Sequence, residues 1–431
     1  MAEHVDLIVP GTSMLQMKGD EAPAALPSTA RPAYLKPSEK SDVFQSRSAA
    51  ADPPFPDRVT PSCIKAMYGI PDAPSNPNPN NMIGIYEGNN SFLKLDDLDL
   101  FYNNTNVGIP LGHGPIVDYI NYYTGKPTGT GYEPEVSLDL HMAYPIIYPQ
   151  QIHLFNMNNT HCQLYDEFLD AIDGSFCQGD DPSVDTPGGS HVCGAYKPTN
   201  VFSFSYSVSE KAWSAPYQTR QCNEWMKLGL QDVSVFHAAG DTGVASPPFG
   251  ICEGKDNKEI FGPISLVGCP YTTAVGATEL PTGKTAGDEE QAAIIHYSGG
   301  GGFSDIFPRL DYQNAAVSSF FTNHTPPFPS YNATETGIPD LGSQGLFNRA
   351  GRAYPDISAD RLAAGKKPVG FVNPALYKNP AMFNDITLGG MLKTRPYTCN
   401  NQSFDTAPGW DPVTGLGTPR YPDMSKYFLS L

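Results

Sequence analysis

Glu135 and Asp139 are the residues of this chain whose types and spacing most directly point to chemistry. They lie in GYEPEVSLDLHMAYPII, residues 131–147. Four residues apart on a helix, both carboxylates project from one face and feel each other's charge. Coupled carboxyl groups tend to separate, one holding its proton while the other ionises, and such a pair can act as acid and base. An arbitrary Glu-x-x-x-Asp is more often a solvated acidic face, so its surroundings decide between the two.

The helix that must carry the pair is bounded by prolines. Pro134 fits a first helical turn, where its missing N–H costs nothing, and Pro145 is expected to close the helix about three turns later. Around it, Asn81–Glu87 (NMIGIYE), Val201–Ser207 (VFSFSYS), Val233–Ala238 (VSVFHA) and Tyr271–Leu280 read as strands. Ile116–Tyr123 and Tyr217–Leu230 read as helices, and a short helix follows Thr60-Pro61-Ser62-Cys63. Strands alternating with helices predict an α/β fold with a doubly wound, mostly parallel sheet and helices on both faces. Function then belongs in loops beyond the C-terminal ends of the strands, and Asp241 stands in such a loop, Ala239-Gly240-Asp241-Thr242-Gly243.

The 431 residues carry a formal net charge of −18, which argues against nucleic acid or an anionic membrane as partner. It fits a protein that stays soluble in acid, where many carboxylates are protonated. No apolar run reaches the length of a membrane-spanning helix. Eight cysteines with 42 prolines and 41 glycines read as a disulfide-bearing extracellular protein. Cys177 with Cys193, flanking a loop rich in Asp and Gly, is the expected bridge. Asn-x-Ser/Thr triplets begin at Asn89, Asn103, Asn158, Asn323, Asn332 and Asn401, in keeping with a secreted glycoprotein. The N-terminus has no basic and apolar leader, so the signal peptide is expected to be missing from this chain. Residues 1–57 divide into a short apolar patch at His4–Val9 and a Pro-, Ala- and Ser-rich linker, with the folded domain spanning 58–431.

Taken together, a series of motifs carries a resemblance. It comprises Glu135-x-x-x-Asp139, Ser203-x-Ser205-Tyr206, Ala239–Gly243, Cys269-Pro270-Tyr271, Ser298–Ser304 (SGGGGFS), Tyr354–Ala359 (YPDISA) and Pro408–Gly417 (PGWDPVTGLG). In this order the set resembles the sedolisin family of serine-carboxyl peptidases, particularly fungal secreted tripeptidyl-peptidase-like members, from Val59 to Leu431. Val5–Gly11 resembles the last residues of the family's propeptide, which would make the protein a zymogen in its complete form.

The resemblance implies a subtilisin-like fold and a Glu-Asp-Ser triad with an oxyanion-hole Asp. Carried over, Glu135 is the general base, Asp139 orients it and Asp241 is the oxyanion donor. Ser205, Tyr206 and Ser207 form the edge that holds substrate backbone, with Ser207 where the family usually has Gly. One Ca2+ is implied, held by the side chains of Asp385 and Asp411 and the carbonyls of Ile386, Ala407 and Gly409. Carboxylates plus main-chain oxygens are the donors a hard cation takes. The implied partners are peptide or protein substrates, met by a monomer.

The nucleophile does not carry over. The family's Gly-Thr-Ser-x-Ser segment belongs between Tyr354-Pro355-Asp356 and Gly370–Pro374, yet Ala359-Asp360 runs directly into Arg361–Lys366, which resembles the end of the nucleophile's own helix. A strand, a turn and most of a helix are expected to be deleted. Gly11-Thr12-Ser13 lies in the propeptide remnant with no helix behind it. Without the hydroxyl, Glu135 has nothing to activate and acyl transfer stops. The expectation is therefore an acid-acting secreted peptidase, serine-type endopeptidase or tripeptidyl-peptidase, inactive in this form. The alternative is a non-catalytic calcium-binding remnant. A glycosidase using Glu135 and Asp139 leaves the Asp241 and Asp411 motifs unexplained.

Overall fold

A computed structural model describes residues 6–8, 59–88, 92–121, 134–157, 165–181, 185, 192–247, 250–254, 259–332, 345–359, 362–364 and 370–430. The strands in chain order are β1 (Asp6–Ile8), β2 (Ile83–Glu87), β3 (Ile116–Ile120), β4 (Ile152–Met157), β5 (Val201–Phe204), β6 (Ser234–Ala238) and β7 (Thr273–Glu279). Then follow β8 (Gln291–Ala292), β9 (Gly302–Pro308), β10 (Gly351–Tyr354), β11 (Ile357–Ala359), β12 (Leu362–Ala364), β13 (Phe383–Asn384) and β14 (Thr418–Pro419). The helices are α1 (Pro61–Tyr68), α2 (Leu95–Thr105), α3 (Pro134–Ile147), α4 (Asp166–Ile172), α5 (Gly174–Cys177), α6 (Ala215–Leu230), α7 (Asp311–Asn323), α8 (Asn373–Lys378) and α9 (Tyr421–Phe428).

The central sheet runs β3-β4-β2-β5-β6-β7-β11, every one of these pairs parallel, with β8 antiparallel on β7. This is the doubly wound α/β sheet expected from the alternation of elements. Both faces are covered. Ile83, Ile85, Ile152 and Leu154 pack with Val136, Leu140 and Ile146 of α3 on one side. Phe202 and Phe204 meet Phe168 of α4 and Trp225 of α6 on the other, in edge-on contacts 5.1–5.3 Å between ring centres. Burial on both faces is why these strands read as near-continuous apolar runs.

Three expectations are corrected. Ile116–Ile120 is strand β3, not a helix: it pairs with β4 at the sheet edge, where one partly exposed side blurs the two-residue alternation. The end of the expected helix, Tyr122–Tyr123, lies outside the described residues. Pro145 does not close α3, which runs on to Ile147, because a proline in a last turn forfeits one hydrogen bond while Ile146 and Ile147 gain complete burial. Leu362–Ala364, expected as a helix end, is a strand paired antiparallel with Asp6–Ile8. The rest of the N-terminal segment to residue 58 lies outside the described residues.

Among the described residues, three disulfides join Cys177 to Cys193, Cys222 to Cys269 and Cys252 to Cys399, so the expected bridge is present; Cys63 is buried in α1. The Tyr354-Pro355-Asp356 motif is a buried junction. Arg352 and Asp356 are an ion pair with no exposed surface, and Asp356 also accepts from the Ala274 amide (2.7 Å) and the Tyr377 hydroxyl (3.0 Å). The Leu416 amide donates to the Asp356 carbonyl at 2.8 Å, which docks the Pro408–Gly417 stretch against β11. Removing one partner of a buried pair strands the other charge, so Asp356→Ala is expected to cost about 3–5 kcal/mol in urea unfolding. A loss within about 0.5 kcal/mol, ordinary for a surface substitution, would mean the junction does not hold the fold.

Candidate active site

The chain leaves β2 for the far edge of the sheet, returns through β4 beside β2, and then continues on the other side of β2 with β5. Such a reversal is where a doubly wound sheet is expected to form its crevice, beyond the C-terminal ends of β2 and β5. In register, Tyr86 of β2 faces Phe204 of β5, so Glu87 and Ser205 emerge side by side at the rim. Strand β6 ends next to them at Ala238 and leads into the Asp241 loop.

Helix α3 lays its acidic pair against this rim. Glu135 is 6% exposed and Asp139 is fully enclosed, which excludes a solvated acidic face. Ser205 donates its hydroxyl to Asp139 Oδ2 at 2.9 Å, and Ser205 is itself fully buried. Tyr206 donates to Glu87 Oε2 at 2.7 Å. Burial pushes the Tyr206 phenol well above its ordinary value, and the charges of Glu87, Glu135 and Asp139 add to the shift. Three carboxyl groups therefore surround one phenol. Ser205, Tyr206 and Ser207, expected as a substrate edge, are all buried, and the first two spend their hydroxyls on carboxylates.

Glu87 is the member that the sequence reading missed. Its signal was an acidic residue ending an otherwise apolar strand, where a charge must find a partner or a proton. The histidine four residues before Asp241 belongs to the core. His237 of β6 is stacked on Phe204, its Nε2 lies 2.7 Å from the Tyr165 hydroxyl, and burial pushes its pKa down to about 4.

Asp241 is partly exposed, on a turn braced from below by the glycine-rich loop. The Gly300 amide donates to the Gly240 carbonyl at 2.6 Å and the Gly243 amide to the Ser298 carbonyl at 3.1 Å. A Cβ at Gly300 would collide with the carbonyl oxygen of Ala239, so the close approach requires glycine there.

The residues expected to hold a cation also converge. Asp411 Oδ2 accepts from the Ala407 amide (2.9 Å), and Oδ1 accepts from the Val413 and Thr414 amides (2.8 Å each). Asp385 Oδ2 accepts from the Gly409 amide at 2.7 Å, and Thr414 Oγ1 lies 3.5 Å from the Ile386 carbonyl and 3.3 Å from both Asp411 oxygens. Burial, with a smaller contribution from the charge of Asp385, pushes the Asp411 carboxyl up to about 7 against the three amides that lower it. Two acidic side chains tied into one hydrogen-bonded group, with the Ile386 carbonyl on the same threonine, are donors of the kind a divalent hard cation takes.

A second acidic group was not anticipated. Asp166, Asp180 and Asp185 converge within ligand distance of one another. Arg220 already sits among them, 3.0, 2.6 and 3.4 Å from the three, so a guanidinium supplies the cation there.

No protein-family model matches the chain. Individual proteins do. Aorsin of Aspergillus oryzae is 39% identical over 498 residues, covering 100% of this chain and 74% of its own length. Tripeptidyl-peptidase sed1 of Aspergillus fumigatus is 36% identical over 487 residues with the same coverages. Among solved structures, Pseudomonas sedolisin, a serine-carboxyl proteinase complexed with pseudo-iodotyrostatin, matches with a TM-score of 0.54 at 17% identity, over 86% of this chain and 98% of its own. The structural match establishes the shared subtilisin-like fold, and the identity to aorsin and sed1 over the whole chain establishes kinship. The chain belongs to the sedolisin family of serine-carboxyl peptidases.

Proposed function

We propose that the crevice at the ends of β2, β5 and β6 is built for peptide hydrolysis in acid, with Glu135 as general base, Asp139 orienting it and Asp241 as oxyanion donor. The observation that carries this reading is the bond from Ser205 to Asp139, made between two fully buried groups. It fixes the second carboxylate of α3 while Glu135, one turn earlier, stays at the rim. A glutamate with an ordinary pKa of about 4.3 still accepts protons near pH 4, where an imidazole of about 6.5 is already charged. A carboxyl group at Asp241 donates to an oxyanion only while protonated, which the same acid favours. Peptide substrates would run along the Ser205–Ser207 edge, and exclusion of water there would strengthen each of these contacts.

The attacking serine is the missing part. The match to aorsin runs over 498 residues against the 431 of this chain, which supports the reading that a block carried by the relative is lacking here. In this form the chain hydrolyses nothing, and the complete protein carries a Gly-Thr-Ser segment between Asp360 and Arg361. A non-catalytic calcium-binding remnant is the second reading, favoured by the same length difference and the converging Asp385 and Asp411. The transcript across that junction separates them.

We also assign one Ca2+ to Asp385 and Asp411 with the carbonyls of Ile386, Ala407 and Gly409. The ion would tie the β13 end to the Pro408–Gly417 stretch and through it to Asp356 and β11. The three disulfides support an oxidising, extracellular setting. No helix among the described residues is long and apolar enough to cross a membrane.

For the complete protein, peptide hydrolysis is expected to peak in acid. Glu135→Ala and Asp241→Ala are each expected to abolish it, an oxyanion donor alone contributing about 3–4 kcal/mol. Full activity in either variant removes that residue from the mechanism. Chelation is expected to lower the melting temperature, since an ion at 100 times its dissociation constant stabilises by about 2.7 kcal/mol. A melting curve indifferent to chelator counts against the ion.

A further inference from the structure

Three more buried carboxyl groups lie outside this site. Glu210, Glu253 and Asp305 are 1, 6 and 7% exposed. Glu210 opens the short turn at Glu210–Ala212, Asp305 belongs to β9, and Glu253 bridges to Ile260. Lys211 pairs with Glu253 at 3.1 Å. Glu210 takes a hydrogen bond from the Ser304 hydroxyl at one oxygen and from the Asp305 amide (2.8 Å) at the other. Its Oε1 rests over Gly268, where a Cβ would strike it. Asp305 accepts from the Tyr331 hydroxyl (2.8 Å) and Glu253 from the Ser209 hydroxyl (2.7 Å).

The anchored residues matter because of what precedes them. Ser304 and Asp305 follow, one residue on, the Ser298–Gly302 loop, whose Gly300 amide and Ser298 carbonyl brace the Asp241 turn. We propose that Glu210 is a positioning residue for the Asp241 loop and that its grip depends on a proton: neutral Glu210 and Asp305 hold β9 in place, and their joint ionisation beside Glu253 loosens β9 and the glycine loop it carries. The positioning half rests on the reading of Asp241 given above, whereas the titration does not.

The electrostatics agree with the geometry. Burial, then the charge of Asp305, raises Glu210 well above the ordinary carboxyl range, outweighing the hydrogen bonds from Ser304 and Asp305. Burial pushes Asp305 up to about 7 and raises Glu253 against the pull of Lys211. Tyr331 and Tyr354, which face the group, are raised by burial and remain neutral phenols. Groups whose folded pKa is raised stabilise the fold fully below the ordinary carboxyl range and lose that contribution as pH climbs through the folded values. The window therefore opens above about pH 4 and extends through neutrality.

The test is thermal unfolding of the chain from pH 4 to pH 8, for the parent, Glu210→Gln and Asp305→Asn. The melting temperature of the parent is expected to fall across this range and that of each variant to fall less. Hydrogen exchange in the parent is expected to show Gly299–Asp305 losing protection near pH 8 while β2 and β5 keep theirs, a readout that stands even if a variant does not fold. Variants that lose stability as steeply as the parent, or exchange in the glycine loop that tracks β2 and β5, overturn the proposal. Neither readout needs peptide hydrolysis, so its failure is separate from that of the peptidase reading.

Discussion

A carboxylate taken out of water must be given hydrogen bonds, a counter-charge or a proton. This chain buries an unusual number of them, and the solutions it finds organise the structure. Asp356 receives a buried arginine, Asp166 and Asp185 share Arg220, Asp411 collects three backbone amides, and Asp139 receives the hydroxyl of Ser205. Glu210 and Asp305 have too little positive charge near them and are left to their protons. A proton turns Glu210 and Asp305 from a cost into neutral hydrogen-bonding groups.

The parallel sheet converts that constraint into a site. Because the chain reverses around β2, the ends of β2, β5 and β6 open together, and Glu87, Ser205 and Asp241 all leave the sheet at one edge. Helix α3 closes the edge with Glu135 and Asp139. Rigidity comes from below, through aromatic packing of Phe202, Phe204, Phe168 and Trp225, and from the glycine loop under Asp241. The Asp356 junction and the Pro408–Gly417 stretch hold the opposite end of the sheet. Groups that would react are thus carried on elements whose own positions are fixed by packing.

Much of this was legible from residue order, and what was not has physical causes. The acidic helix was readable because its period and its Pro134 start are local signals, and the Cys177–Cys193 bridge because it closes a short loop. Strand β3 resembles a helix in sequence since five residues at a sheet edge, one exposed, three half-buried and one buried, carry no clean period. Glu87 carried no pattern of its own, and its meaning depends on Tyr206, 119 residues away. The bond between Ser205 and Asp139 is invisible for the same reason, its partners lying 66 residues apart. The pairing of Asp6–Ile8 with Leu362–Ala364 joins the N-terminal segment to a stretch about 350 residues further along, a contact no local rule anticipates.

The most direct test of the acidic site is a crystal structure, grown in acid, of the complete protein with a peptide aldehyde bound as a mimic of the tetrahedral intermediate. Glu135 is expected within hydrogen-bond distance of Asp139 on one side and of the attacking oxygen on the other, with the Asp241 carboxyl donating to the tetrahedral oxygen. A Glu135 turned out to solvent, or an Asp241 far from the ligand, would contradict it.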